Sequence, residues 1–217
     1  TEGVADDTLV VFFADNGRGM PRDKRWVYDG GIHVPLVVRW PGEVAAGAVR
    51  DDLVSFVDLA PTMLALAGAD VPAFVQGRVF LGRQAAEAPP YVFAAADRMD
   101  EAFDRIRAVR DARWKYVRNH RPDLPYGQSI AFRNQLQSMQ EILQLGAAHA
   151  LVPPADWYFR QTKPVEELYD VVADPDEVEN LADAPAHADV LARMREAHDA
   201  WVVETGDLGA VSEPELA

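Results

Sequence analysis

Apolar residues fall in short runs along the chain, and their spacing predicts strands first and a mixture of hairpin and helices later. Thr8-Leu9-Val10-Val11-Phe12-Phe13-Ala14 is an unbroken β-branched and aromatic run, the pattern of a strand buried on both faces of a parallel or mixed sheet. Pro35-Leu36-Val37-Val38-Arg39-Trp40 repeats that texture and is closed by Pro41-Gly42. From Asp58 to Gly68 the period becomes helical: Asp58 or a neighbour can cap, Pro61 suits the first turn, Met63, Leu64 and Ala67 share a face, and Gly68 stops the run. Strand, loop, strand, helix is the order of an α/β protein.

After Pro89-Pro90 the texture changes. Tyr91-Val92-Phe93-Ala94-Ala95 predicts a strand, and Ile106 to Arg110 and Trp114 to Arg118, joined by Asp111-Ala112-Arg113, predict a hairpin. Basic residues alternate with apolar ones there, as in antiparallel strands with one wet face. Ser129 to Leu145 has helical spacing at Ile130, Leu136, Met139, Ile142 and Leu143, and Leu168-Tyr169-Asp170 is a short strand. His187 to Glu204 is an amphipathic helix carrying Val190, Leu191, Met194, His198 and Trp201. The expected division is residues 1–89 as an α/β part and 90–217 as a smaller antiparallel-sheet subdomain with a terminal helix.

Composition narrows the partners. With 217 residues, 49% hydrophobic and 26% charged, the chain has the makeup of a globular protein. A formal charge of -14 argues against nucleic acid and anionic membranes. No apolar run approaches the roughly 18 to 20 residues needed to cross a bilayer. The absence of Cys excludes disulfides and thiolate metal sites without distinguishing compartments. The opening Thr1-Glu2-Gly3 has neither an initiator Met nor a signal-type segment, so the chain reads as a piece of something longer, with any address label upstream.

Candidate chemistry gathers just after the first predicted strand. Asp15 and Asn16 offer a carboxylate and an amide oxygen at a strand end, hard donors suited to Ca²⁺ or Mg²⁺ and placed where α/β folds hold ligands. Asp-Asn-Gly is equally the composition of a plain turn. Arg18, Arg22, Lys24 and Arg25 follow, four cations that suit a tetrahedral oxyanion or simply form a solvated basic loop. From Arg105 to Arg121 there are seven Arg or Lys against one Asp, a second patch that fits either a sulfated sugar or a hairpin whose arginines pair with acids elsewhere.

The order of these motifs resembles the sulfatases of the alkaline phosphatase superfamily. A strand, Asp15-Asn16-Gly17, Lys24, Tyr28-Asp29-Gly30-Gly31 and Val34-Pro35-Leu36 occur in that order. The resemblance continues through Asp58 to Thr62, Gly77-Arg78, the Arg-Ala-Val-Arg hairpin, Glu167 to Asp170, Asp174-Pro175 and Asn180-Leu181, so it covers nearly the whole chain. The C-terminal residues Trp157-Tyr158, Trp201 and Glu204 to Asp207 are similar to the N-sulfoglucosamine sulfohydrolase group and its bacterial relatives. The implied fold is the C-terminal part of an alkaline-phosphatase-like sandwich, a mixed sheet flanked by helices, plus the smaller subdomain.

By this resemblance Asp15 and Asn16 are two ligands of one Ca²⁺, and Lys24 is a catalytic residue that contacts the sulfate, with Arg22 as a second substrate-binding cation. Asp29 and the two glycines shape the loop, while His33, where many relatives carry Arg, reads as a packing or loop residue. The Cys-x-Pro-x-Arg or Ser-x-Pro-x-Arg segment that yields formylglycine is absent from these residues. The chain therefore reads as part of a hydrolase of sulfuric esters or sulfamates acting on a sulfated sugar or glycan, inactive alone, with the missing N-terminal half as its partner. A formylglycine attack on sulfur, and a periplasmic, secreted or lysosomal-like location, are further implications. The rivals are a phosphonate monoesterase or phosphodiesterase of the same superfamily and a non-catalytic carbohydrate-binding domain.

Overall fold

The computed structural model describes residues 3–216; Thr1, Glu2 and Ala217 lie outside it, including the opening dipeptide read above as an internal start. In chain order the elements are β1 (Val10–Phe13), α1 (Asp29–Ile32), β2 (Leu36–Arg39), α2 (Leu59–Leu66), β3 (Val92–Met99), β4 (Ala102–Arg110), β5 (Trp114–Asn119), α3 (Ala131–Asn134), α4 (Gln137–Ala147), β6 (Glu166–Asp170), α5 (Ala188–Thr205) and α6 (Glu213–Leu216), with short 3-10 turns between them. The chain forms two compact units, one of residues up to Ala14 with Pro35–Val92, the other of Asp15–Val34 with the residues from Phe93 onward. The fold is α/β, and its sheets are of two and four strands.

In the first unit β1 pairs antiparallel with β2, Val10 opposite Arg39 and Phe13 opposite Leu36. The pairing excludes a purely parallel arrangement of these two strands and is compatible with the mixed sheet expected from the apolar runs. The doubly buried character is not met among the described residues, since Phe12 is 66% and Val37 58% exposed. Helix α2 is set by a polar lock. Ser55 and Asp58 form a capping box at the preceding turn, and Asp58 also accepts from the Arg78 N–H at 2.9 Å. Thr62 Oγ1 donates to the Asp58 carbonyl and accepts from the Phe80 N–H. A Cβ at Gly77 would strike the Val57 carbonyl, so Gly77-Arg78 can meet Asp58 and Thr62 only with glycine there.

In the second unit the strands lie in the order β3-β4-β5-β6, with β4-β5 and β5-β6 antiparallel. Both faces of this sheet are covered. Alternation puts Ile106, Ala108 and Val117 in one buried cluster with Tyr169, Val27 and Tyr28 of the segment Asp15–Val34. On the other face Tyr116 and Leu168 are fully buried, as is Met194 of α5. The expected wet face is therefore corrected: Arg107 and Lys115 are 1% and 0% exposed. All seven basic residues from Arg105 to Arg121 have an acid partner, so the segment is not a free patch for a sulfated sugar. The helix expected over Ser129 to Leu145 is broken at Leu136, which is extended (φ -69°, ψ 132°). Ile130 lies six residues before Leu136, out of phase with the Leu136, Met139, Ile142 and Leu143 stripe, and it is buried ahead of α3.

Glu166 and His120 are two of the groups expected to make this unit acid-sensitive. The Arg195 fork and the Tyr116 hydroxyl hold the Glu166 carboxyl down at about 2. Burial, aided by the charge of Arg105, lowers His120 to about 4. A depressed carboxylate stabilises above its unfolded value and loses that contribution as the pH falls towards 2. A depressed imidazole is neutral when folded, so the unfolded chain takes up the proton first between pH 6.5 and 4, and stability falls over that window. Melting temperature should therefore drop as pH is lowered from 7 to 3, by the equivalent of ~1–2 kcal/mol per group after solvent screening. The step between pH 6.5 and 4 should disappear in His120→Gln; a flat profile there in the native protein would refute the assignment.

Candidate functional site

Asp15–Val34 is a loop closed by glycines and fastened at one end. The Gly17 N–H donates to the Gly31 carbonyl at 3.0 Å, and a Cβ at Gly17 would run into the Gly30 carbonyl, so the two ends meet only because both sides lack side chains. Gly31 is similarly enclosed by the carbonyls of Asp23 and Trp26. Within the loop Arg18 Nε donates to buried Asp23 at 2.7 Å, and the Lys24 N–H donates to the Arg18 carbonyl at 2.9 Å.

The motif Tyr28-Asp29-Gly30-Gly31 is the foot that stands on the sheet. Tyr28 Oη donates to Glu167 Oε2 at 2.7 Å. The Asp29 N–H donates to Glu177 Oε2 at 2.6 Å, while its carboxylate takes an ion pair from Lys115 and contacts Arg110 at 3.3 Å. Lys115 also lies 2.9 Å from Glu177 Oε1. Burial works against the Asp29 charge, yet Lys115 and Arg110 hold its carboxyl below the ordinary range; burial pushes Glu177 up despite Lys115. Glu167, 0% exposed, also accepts from Tyr169, Tyr126 and Asn119.

The predicted site residues divide by what they touch. Arg22 is turned inward, its guanidinium 4.1 Å over the Tyr28 ring and donating to the Glu177 carbonyl at 2.8 Å. Asp15 and Lys24 are exposed and Asn16 is half-buried, and none of the three side chains makes a hydrogen bond or ion pair with the described residues. His33 is exposed, 3.7 Å from Asp29. Among the described residues no group of three or more His, Asp or Glu is arranged to hold a metal. Asp15 and Asn16 supply hard, unengaged oxygens of the kind Ca²⁺ takes, but two residues fill only part of a shell of about six to eight oxygens.

Sequence reasoning missed Lys115, Glu177 and Glu167 as the anchors of this loop. The signal was present: Glu167 and Tyr169 alternate onto the face that Lys115 and Val117 share across β5, so an acid and a base recurred at apolar positions.

Residues 19–124 match the family model described as N-sulphoglucosamine sulphohydrolase, C-terminal. The chain is 40% identical, over 99% of its length, to an ulvan-active sulfatase of Formosa agariphila. The chain belongs to the sulfatase family. It is also 30% identical, over 94% of its length, to the human N-sulphoglucosamine sulphohydrolase. The fold is shared with a 2-O GAG sulfatase structure at a TM-score of 0.67 and 24% identity, covering 97% of this chain and 39% of that one. This sulfatase-family chain spans 36% and 43% of the lengths of the two relatives, so most of each relative has no counterpart in these residues. Among the described residues no helix is long and apolar enough to cross a membrane.

Proposed function

We propose that this chain supplies the metal- and sulfate-binding loop of a hydrolase that removes sulfate from a sugar or glycan, the nucleophile being carried by the remainder of a longer protein. One observation carries the reading: of the charged and amide side chains on the loop, Asp15, Asn16 and Lys24 alone make no hydrogen bond or ion pair with the described residues. Lys24 presents a compact positive charge to the non-bridging sulfate oxygens. Asp15 and Asn16 offer their oxygens to Ca²⁺, which when bound adds positive charge against the same oxygens. Arg22 adds charge from beneath the loop while fixing its shape, and Asp29 acts through the fold rather than on substrate.

The names of the relatives, an ulvan-active sulfatase and a sulphohydrolase of N-sulphoglucosamine, support a sulfated saccharide as substrate. A formylglycine in the remainder of the protein, and a periplasmic or secreted location, belong to the same reading. So does the assignment of residues 1–89 to a catalytic α/β domain and 90–217 to a smaller subdomain. The exposed β1 and β2 side chains, with Phe12 at 66% and Val10 at 47%, fit strands that the rest of that domain covers.

Sulfate release from N-sulfated and O-sulfated sugars by the full-length protein tests the proposal. Asp15→Ala and Lys24→Ala should each lower kcat/KM by about a hundredfold or more with little change in melting temperature. Chelation should abolish activity and added Ca²⁺ restore it. Release from no sulfated compound would overturn the reading.

A further inference from the structure

Beside the loop, within the second unit, lies a cavity of about 330 Å³ lined by Arg25, Arg133 and the alanines of β3, with Trp26 and Tyr126 at its wall. Its size is in the range of small-ligand pockets, and apolar walls with a few polar groups are the usual composition. The polar groups are the unusual part. The Arg25 side chain is 12% exposed, and its Nε and Nη1 are buried with no hydrogen-bond partner among the described residues. Only its Nη2 reaches a carboxylate, Asp100 at 3.4 Å, on a half-exposed side chain. Arg133 Nε is likewise buried without a partner, while its Nη2 donates to the Gln128 carbonyl and its guanidinium lies 5.3 Å over the Tyr158 ring.

The acids near the cavity are engaged elsewhere. Asp97 binds Arg107 at 2.7 Å, Asp104 pairs with Lys163, and Glu101 accepts from the Ala131 N–H. Unsatisfied buried guanidinium donors are costly, and two such cations in one cavity repel each other unless an anion joins them. Burial, with the charge of Arg25 adding to it, lowers the Arg133 guanidinium from its ordinary value. Arg25 also holds φ at 81°, a left-handed backbone that a non-glycine residue adopts only at a cost and that turns adjacent side chains apart. Consecutive residues thus divide the work: Lys24 is exposed and Arg25 lines the cavity. Trp26 and Tyr126, with ring centroids 5.8 Å apart, add aromatic surface of the kind that takes the apolar face of a sugar ring.

We propose that this cavity is a second anion site, in which Arg25 and Arg133 hold a sulfate or carboxylate on the sugar residue next to the one that loses its sulfate. The proposal rests on the sulfatase reading for the identity of the saccharide, but the pocket can be tested separately. In the full-length protein, Arg25→Gln and Arg133→Gln should each raise KM by about tenfold or more for sulfated disaccharides whose neighbouring residue bears sulfate or carboxylate. The kcat for those substrates, and KM for a sulfated monosaccharide or a disaccharide with a neutral neighbour, should stay unchanged. Arg133→Lys should recover part of the loss. Whichever charged disaccharide shows the larger shift identifies the anion.

A second arm needs no turnover: calorimetric titration of an unsulfated, glucuronate-containing disaccharide and of inorganic sulfate. Binding by the native protein that is lost in Arg25→Gln supports the pocket even if no sulfate ester is hydrolysed, in which case only the sulfatase reading fails. Equal binding of anionic and neutral disaccharides by the native protein, or KM values unmoved by both glutamine variants, would overturn the site.

Discussion

Replacing Lys115 with methionine is expected to destabilise the second unit by about 3–5 kcal/mol, a large share of the stability of an ordinary domain. The ammonium is completely buried between Asp29 and Glu177, and Arg110, 3.3 Å from Asp29, is the other cation on this group. Taking Lys115 away leaves two carboxylates in a low-dielectric layer with one partner, and an unpaired buried charge costs far more than the pair itself contributes. The signature distinguishing this from simple loss of packing is recovery: Lys115→Met combined with Glu177→Leu should regain part of the loss, because the orphaned charge is gone. Recovery should be incomplete, since Glu177 also accepts the Asp29 N–H. Hydrogen exchange of the amides of β5 and of α1, with thermal melting of the full-length protein, reads the effect. A Lys115→Met variant as stable as the parent would show that the ion cluster does not hold the loop.

The same cluster explains why the sequence was readable in some places and misleading in others. The hairpin of β4 and β5, helix α5 and the strand β6 follow from local alternation and turn residues, and all appear where the pattern puts them. The wet face did not follow, because whether a strand face meets water is decided by what is laid over it. Here one face is covered by a segment some 80 residues earlier, Asp15–Val34, whose Asp29 meets Arg110 and Lys115, while Arg107 on the other face is met by Asp97 and Asp207. Likewise the apolar run at β1 predicts a buried strand by composition alone, whereas burial depends on what packs over the sheet, and Phe12 and Val37 are exposed in this two-stranded pairing.

For the proposed site, motif order singled out Asp15, Asn16 and Lys24, and the structure adds that their side chains have no hydrogen bond or ion pair among the described residues, on a loop where Arg18, Arg22, Asp23 and Asp29 all have them. Four cations in a row look equivalent in sequence. Backbone conformation separates them: Arg22 and Arg25 take positive φ and turn in to protein, while Lys24 between them stays exposed. Motifs that resemble a catalytic signature are thus of two kinds here. Tyr28-Asp29-Gly30-Gly31 and the sheet residues Arg110, Lys115 and Glu167 belong together as foot and floor of the loop.

Glu167→Ala is the second large effect expected, with a loss of at least ~4 kcal/mol or failure of the second unit to fold. The carboxylate accepts from four side chains at once, Tyr28 and Tyr169 at 2.7 Å, Asn119 at 2.7 Å and Tyr126 at 2.9 Å, and it is fully buried. Its truncation would orphan three phenols and an amide together, in a layer that joins the loop to the sheet. Glu167→Gln keeps the shape but turns one accepting oxygen into a donor facing other donors, so its cost should be intermediate. Burial and the nearby Glu167 charge raise Tyr28, Tyr126 and Tyr169 above the ordinary phenol value. A raised phenol is neutral in the folded chain, so stability is full below about pH 10 and falls as pH rises beyond it, when the unfolded chain loses protons first. Spectrophotometric titration of the native protein should find these tyrosines un-ionised until alkaline unfolding. If Glu167→Gln and Glu167→Ala melt alike, the four-donor arrangement is not what fastens the loop, and the fastening falls to Asp29 and Lys115 alone.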